Sequence, residues 1–214
     1  MESIIAFFED IPTVYRSLIL IGGIFIFWVL EGVIPLFKFN YRKVRHAGIN
    51  LLFTLFTAII GFGLAGVLFF ASVWSNENNF GVIHLIEMPL WLQVIIAVMI
   101  LDLVGAYFVH WVQHKVKWMW KFHLIHHSDT TVDVTTGLRH HPGETVIRIF
   151  FTIVAVFLSG ASIGMVMLYQ SLSVLFAHIT HANINMPKKI DELINFSIII
   201  SFSSNLDFKL SNIS

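Results

Sequence analysis

The chain has 214 residues, of which 57% are hydrophobic and only 12% charged. Soluble domains contain roughly 45–50% apolar and about 25% charged residues, so this composition excludes an ordinary soluble enzyme, a coiled coil and a disordered chain. Basic and acidic residues number 13 each, which leaves no net positive charge to attract nucleic acid. Cysteine is absent and 11 histidines are present, so thiolate-ligated metal sites are excluded and imidazole chemistry is not.

Three apolar runs, residues 17–37, 50–74 and 89–109, are long enough to cross a hydrocarbon core of about 30 Å as helices. A fourth stretch, residues 146–177, is too long for one crossing and is interrupted by Ser-Gly-Ala-Ser at 159–162. We interpret it as two shorter helices that form a hairpin and return to the same side; one long tilted helix is the alternative. The sequence therefore predicts an all-α, multi-pass membrane bundle.

Basic residues predict the orientation of these spans. They cluster between the first two spans and after the third, at Lys38, Arg42, Lys43, Arg45, Lys115, Lys117 and Lys121, whereas residues 75–87 contain no lysine or arginine. The positive-inside rule then places the N-terminus outside and the regions after residues 37 and 109 in the cytoplasm. Ten of the 11 histidines fall on that predicted cytoplasmic side, and the nine that follow residue 109 would line a cap on the bundle.

These nine histidines form four short groups: His110 and His114; His123, His126 and His127; His140 and His141; and His178 and His181. Residues four apart share one face of a helix, so both imidazoles of such a pair can bind one ion. A single pair is more often structural, but several groups on one membrane face favour a metal site. A bis-imidazole haem carrier is the alternative, disfavoured because the histidines lie beyond the span ends. His46 and His84 stand apart and are interpreted as interfacial and incidental.

Imidazole suits iron, zinc, copper and nickel, and eight or more neutral rings could hold two ions. Carboxylates orient such rings through hydrogen bonds, and four candidates stand nearby: Asp102, Asp129, Asp133 and Glu144. Each of them could equally cap a helix or lie in a solvated loop. Arg139 either holds a carboxylate or fixes a loop.

Four motifs stand in a specific order: H-W-V-Q-H at 110–114, H-L-I-H-H at 123–127, T-T-G-L-R-H-H-P-G-E at 135–144 and H-A-N-I at 181–184. Over about residues 90–195 the chain thereby resembles the fatty acid hydroxylase/sterol desaturase superfamily of integral membrane oxygenases. The resemblance implies a cytoplasmic site for two iron ions, or zinc in the isolated protein. It also implies O2-dependent hydroxylation or desaturation of a fatty acid or sterol-like lipid, with electrons from a separate redox protein.

Carried over by position, the resemblance implies eight metal ligands: His110, His114, His123, His126, His127, His141, His178 and His181. His141 matches the histidine of the family's R-x-H-P element, and His140 occupies the variable position before it. Asp102, Asp129, Arg139 and Glu144 are the expected supporting residues.

The predicted organisation is N-terminal membrane spans over 1–89, a histidine-box domain over 90–195 and an atypical tail over 196–214. Family members continue into a final H-x-x-H-H box, whereas no histidine follows His181. We hypothesise that the chain is truncated or frame-shifted near residue 196 and binds metal incompletely. An inactive family member with only a structural or interaction role is the alternative function.

Overall fold

The computed structural model describes residues 1–38 and 40–187. Their regular structure is helical: α1 (Glu2–Glu9), α2 (Thr13–Ser17), α3 (Gly23–Val33), α4 (Lys43–Glu77), α5 (Leu90–Asp102), α6 (Val109–Lys115), α7 (Lys117–His127), α8 (Pro142–Ser159) and α9 (Ile163–His181). Segments of π-helix join α2 to α3 at Leu18–Gly22 and α5 to α6 at Leu103–Phe108, and short 3₁₀ helices cover Val82–His84 and Val134–Leu138. The predicted all-α class is confirmed. The predicted tail, residues 196–214, lies outside the described residues.

Five helical segments are long and apolar enough to cross a membrane: Val14–Val33, Lys43–His84, Leu90–Lys115, Pro142–Ser159 and Ile163–His181. The multi-pass prediction is therefore confirmed, with shifted boundaries. The first span ends at Val33 rather than near residue 37, because Pro35 disfavours helical geometry at Ile34. The second begins at Lys43 instead of residue 50, so α4 carries its polar first turns into the cap.

The fourth apolar stretch is a hairpin, as predicted. Gly160 ends α8 in the left-handed conformation with φ of 81°, which glycine adopts without strain, and the Ser162 side chain caps the start of α9. The two helices have 18 and 19 residues and are longer than expected, because residues 142–145 extend α8 and residues 178–181 extend α9 beyond the apolar run. Both arms return to one end of the bundle.

The hairpin turn is tied to the far end of α4. The Ser72 hydroxyl donates to the Ala161 carbonyl at 2.8 Å, and the His84 ring lies 3.2 Å from the Gly160 carbonyl. His84 therefore contacts the hairpin turn, at the end of the bundle opposite the other histidine groups. Fully buried apolar residues pack α5, α8 and α9 together between the two ends: Ala97, Leu101, Ala155, Val156 and Val166.

The other end of the bundle is held by Glu31, a buried carboxylate at the end of α3. Its Oε1 accepts hydrogen bonds from the backbone N–H groups of Val134, at 2.6 Å, and Asn183, at 2.8 Å, while Lys43 Nζ lies 2.7 Å from Oε2. One side chain thus joins the first span, the loop before α8 and the segment after α9. The H-A-N-I motif is held at this end of the bundle by the hydrogen bond from the Asn183 N–H to Glu31.

Candidate metal centre

Four histidines on α6 and α7 form a compact cluster. His110 and His114 lie one turn apart on α6, and His123 and His127 lie one turn apart on α7. Their nitrogen donors all lie within 4.8 Å of one another. Within each pair the two Nε2 atoms are 3.0 Å apart. We call these four residues the first histidine group.

The first histidine group exists because the chain folds back sharply between α6 and α7. Val116 adopts an extended conformation, with φ of −95° and ψ of 109°, which ends α6 and starts α7 one residue later. The two helices then face each other, and the His110 ring lies 4.5 Å from the His123 ring and the His114 ring 4.8 Å from the His127 ring, centre to centre.

The spacing of this group fits a metal ion. Nitrogen ligands 2.0–2.1 Å from one ion stand about 3.0–3.4 Å apart, close to the 3.0 Å between the paired Nε2 atoms. Two imidazole nitrogens that both carried lone pairs would repel at this distance, so either a proton or a metal ion belongs between them. The donor set is purely imidazole, which suits iron and zinc.

A second histidine group lies beside the first and consists of His126, His140 and His181. The ring of His126 lies 4.8 Å from that of His140 and 5.3 Å from that of His181, centre to centre. His126 is buried on the same helix as His123, and their ring centres are 5.6 Å apart. The cap thus brings residues from α7, the loop before α8 and the end of α9 together.

Glu144 connects the two groups. This fully buried carboxylate on the first turn of α8 places Oε1 2.9 Å from His123 Nδ1 and 3.0 Å from His140 Nδ1. A carboxylate on Nδ1 fixes the proton there and leaves the Nε2 lone pair for a metal, the usual arrangement around a metal-bound histidine. Glu144 therefore has the geometry of the orienting residue that the sequence predicted.

Burial keeps two of these rings, His126 and His127, uncharged. Burial and the nearby His123 and His114 rings lower the pKa of His127 to about 4. Burial, together with His140 and His181, holds the pKa of His126 well below its ordinary value. Both rings are therefore neutral at pH 7, which is the protonation state that binds a metal.

Two predicted ligands turn away from the cluster. His141 stacks on Phe122 at 4.9 Å between ring centres, and its Nδ1 accepts the Gly143 N–H at 2.9 Å to cap α8. His178 is buried against Gly23 of α3, with the Phe27 ring 6.4 Å away. Their assignment as ligands came from the resemblance and stays a prediction; in this packing the His141 ring contacts Phe122 and the start of α8, and the His178 ring contacts α3.

The remaining predicted supporting residues are dispersed. Arg139 donates from Nε to the Ile125 carbonyl at 3.1 Å and so fixes the loop before α8 to α7. Asp102 ends α5 inside the third span, close enough to Tyr169 of α9 to interact electrostatically. The Asp129 carboxylate contacts His46 rather than the clustered histidines.

His46 is the residue that the sequence interpretation undervalued. Its Nε2 lies 2.9 Å from Asp129 and its Nδ1 2.9 Å from Asp133 Oδ2, which also accepts the Tyr41 hydroxyl at 2.6 Å. Both ring nitrogens face carboxylates, so both carry protons and the ring is an imidazolium. His46 is therefore an ion-paired link between α4 and the loop after α7, rather than an interfacial side chain.

The carboxylates of Asp129 and Asp133 are ionised and balance the positive charge of His46. Burial alone would raise the pKa of Asp133, but hydrogen bonds from His46, Thr135 and Tyr41 outweigh it and hold that pKa below its ordinary value. The pKa of Asp129 is lowered in the same way, since the bonds from His46 and Thr136 outweigh burial. The only signal in the sequence was a pair of acidic residues in a loop with no basic residue beside them.

Comparison with known proteins agrees with this site. The family model described as fatty acid hydroxylase matches residues 94–202, about half of the chain, including all residues of both histidine groups. The chain belongs to the fatty acid hydroxylase family. The predicted superfamily is thereby confirmed, and the chain is an integral membrane protein of a family of metal-dependent hydroxylases.

A curated relative in the same superfamily is the ornithine lipid hydroxylase OlsE of Rhizobium tropici. It is 26% identical over 100 residues, which cover 47% of this chain and 30% of the relative. The match therefore spans about a third of that protein's length. No solved structure matches this fatty acid hydroxylase family member.

Proposed function

We propose that this family member is a lipid oxygenase of the membrane, which hydroxylates or desaturates a lipid C–H bond with O2. The first histidine group supports this most directly, since four nitrogen donors within 4.8 Å of one another stand at the end of the apolar spans. Iron bound by such a site supplies the redox chemistry by which O2 is reduced and a C–H bond is oxidised. Two iron ions are the proposed complement.

Hydroxylation consumes one O2, two electrons and two protons for each C–H bond converted to C–OH, and releases one water. Desaturation consumes the same electrons and protons, removes two hydrogen atoms from adjacent carbons and releases two waters. In either case the electrons come from a separate redox protein. The chain's own residues hold the site: Glu144 fixes the rings of His123 and His140, and burial keeps His127 neutral.

The substrate is proposed to reach the site from the bilayer. Large apolar side chains such as Phe150, Leu103 and Phe108 are exposed on the spans that lead to the cluster, where lipid would surround them. The cluster lies at the ends of these spans, so the oxidised carbon would be near the membrane interface. A polar lipid of the kind named for the ornithine lipid hydroxylase is the first class to test.

The test is oxidation of lipid in membranes that contain the protein, iron and a reductant under ¹⁸O2. Hydroxylation adds the mass of one ¹⁸O atom to a lipid, and desaturation removes two hydrogen atoms without adding label. We expect one of these products with the unsubstituted protein and its loss in His110→Ala, which removes one donor. His84→Ala is the matched control, since His84 lies at the opposite end of α8.

If the iron-loaded protein produces neither product from a total lipid extract, the oxygenase proposal is wrong. The alternative, a family member with only a structural or interaction role, then takes its place. It predicts that His110→Ala leaves the phenotype of cells carrying the gene unchanged.

A further inference from the structure

His140 and His141 are neighbours in sequence and have opposite surroundings. His140 contacts the histidines and Glu144, whereas His141 contacts Phe122 and the backbone of α8. The resemblance to the family implies His141 as the ligand of this element and gives no role to His140.

The hydrogen bonds determine which of the two rings has a lone pair for a metal. His140 directs Nδ1 to Glu144 Oε1, the same oxygen atom that orients His123 of the first group. Its proton is therefore on Nδ1, and the Nε2 lone pair is available. His141 accepts the Gly143 N–H at Nδ1. Its proton is on Nε2, so a neutral His141 has no lone pair left for an ion.

His126 provides a second, independent indication of a ligand here. The side chain is 93% buried, and its Nδ1 has no hydrogen-bond partner among the residues that the structure describes. A buried nitrogen without a partner carries a desolvation cost that a bound ion would remove. His181, the third member of this group, directs Nδ1 to the Ala177 carbonyl at 2.8 Å, which places its lone pair on Nε2.

The spacing from His126 to each of the other two rings also fits one ion. For a metal–nitrogen bond of about 2.1 Å, adjacent imidazoles on one ion have ring centres about 4.5–5.3 Å apart. The distances from His126 to His140 and His181 are 4.8 and 5.3 Å. The His126 and His140 rings are within 11° of parallel, so one of them turns when an ion binds. The His140 side chain is 25% exposed and can tilt while its Nδ1 stays bonded to Glu144.

We propose that His140 is a ligand of the second metal ion, which it holds together with His126 and His181, and that His141 is not a ligand. The inference deepens the proposed function, since it names the residues of the second half of its metal centre. Glu144 then orients one ligand of each ion through a single oxygen atom.

The test is metal stoichiometry of the full chain, purified in lipid nanodiscs, stripped with a chelator and titrated with Fe²⁺ without oxygen or with Co²⁺. We expect two ions per chain for the unsubstituted protein, a result that would reject the hypothesis of incomplete metal binding. His140→Ala and His140→Gln should bind one ion, or bind the second at least tenfold more weakly, because a ligand is lost. His141→Asn is the matched control: asparagine also caps helices, and two ions should remain. Circular dichroism checks that each variant is folded.

A second measurement needs no variant. Diethylpyrocarbonate modifies accessible imidazoles, and peptide mass spectrometry reports each site. Bound Co²⁺ should protect His140 at least fivefold and leave the modification of His141 unchanged.

Either of two results would overturn the inference: a full complement of two ions at unchanged affinity in both His140 variants, or no protection of His140 by metal. At most one ion in the unsubstituted chain would overturn it as well. Failure of the proposed function looks different, because two ions would bind with the expected dependence on His140 while no lipid was oxidised under ¹⁸O2.

Discussion

Glu144 matters at the scale of a single residue because it accepts hydrogen bonds from both histidine groups with one oxygen atom. In Glu144→Gln the amide retains one acceptor but loses the negative charge that holds a proton on Nδ1 of each ring. Loss of such an orienting carboxylate typically weakens metal binding 10–100-fold. We therefore expect a weakening of about that size, measured by competition with a chelating dye. Glu77→Gln, an exposed change at the far end of α4, should leave the affinity unchanged.

The lowered pKa values of His126 and His127 predict how the stability of the metal-free protein depends on pH. His127 has an ordinary pKa of 6.5 and a folded-state pKa of about 4. Between these values the unfolded chain binds a proton that the folded chain does not, so stability falls as the pH is lowered from about 6.5 to 4. His126 shifts in the same direction and adds to the effect.

The measurement is the melting temperature of the metal-free protein at pH 7.5, 6 and 5. We expect a progressive decrease and a shallower one in His127→Gln, which removes one of the titrating rings. Equal slopes for the variant and the unsubstituted protein would contradict the assignment. Bound metal should flatten the dependence in this range, since it keeps the rings deprotonated.

Spacing along the chain predicted the first histidine group but not the second. Pairs four residues apart on a helix must share a face, so His110 with His114 and His123 with His127 follow from the sequence. His140 and His141 lie in a loop, where no periodicity determines side-chain direction. The capping bond of His141 to Gly143 and the bond of His140 to Glu144 separate the two, and both depend on the start of α8.

At the scale of elements, His46 holds the loop between α7 and α8 to the start of α4. It faces Asp129 and Asp133, whose carboxyl groups are 3% and 0% exposed, so His46→Ala leaves two buried carboxylates without their cation. Breaking a buried ion pair by removing one partner costs roughly 3–5 kcal/mol. We expect the free energy of unfolding to fall by that amount. Metal binding by His126 should weaken as a consequence, because the loop beside it is no longer held.

The triple variant His46→Ala, Asp129→Asn, Asp133→Asn separates charge from packing. It removes the uncompensated carboxylates and should recover part of the loss, because the amides are neutral. His84→Ala is the matched histidine control at the other end of the bundle. If the triple variant is no more stable than His46→Ala, the ion pairs are not the source of the effect.

Elements of this molecule were predictable where apolar length decides them, and unpredictable where distant polar groups meet. The spans follow from runs of apolar residues, and the hairpin from Gly160 and its neighbours. Residues His46 and Asp129 are 83 positions apart, and Glu31 and Asn183 are 152 apart. No local pattern indicates such pairs, although they determine how the cap is assembled around the histidines.

On the scale of the whole molecule, the fold collects the basic residues and the histidines at one end. Lys43 forms an ion pair with Glu31 at that end. The chain reversal between α6 and α7 is surrounded by Lys115, Lys117 and Lys121. The far end includes the loop after α4 and the hairpin turn at Gly160, and residues 75–87 there have no lysine or arginine. By the positive-inside rule, the metal centre should therefore face the cytoplasm.

The absence of native cysteine makes this orientation directly measurable. Lys121→Cys places one thiol on α7 beside the centre, and Asn78→Cys places one in the exposed loop that follows α4. A membrane-impermeant maleimide added to intact cells should label Cys at position 78 and not at position 121, because only the former faces outward. After the membrane is permeabilised, both should react, which controls for accessibility. The reverse pattern would place the centre outside the cell, where a cytoplasmic electron donor could not reach it.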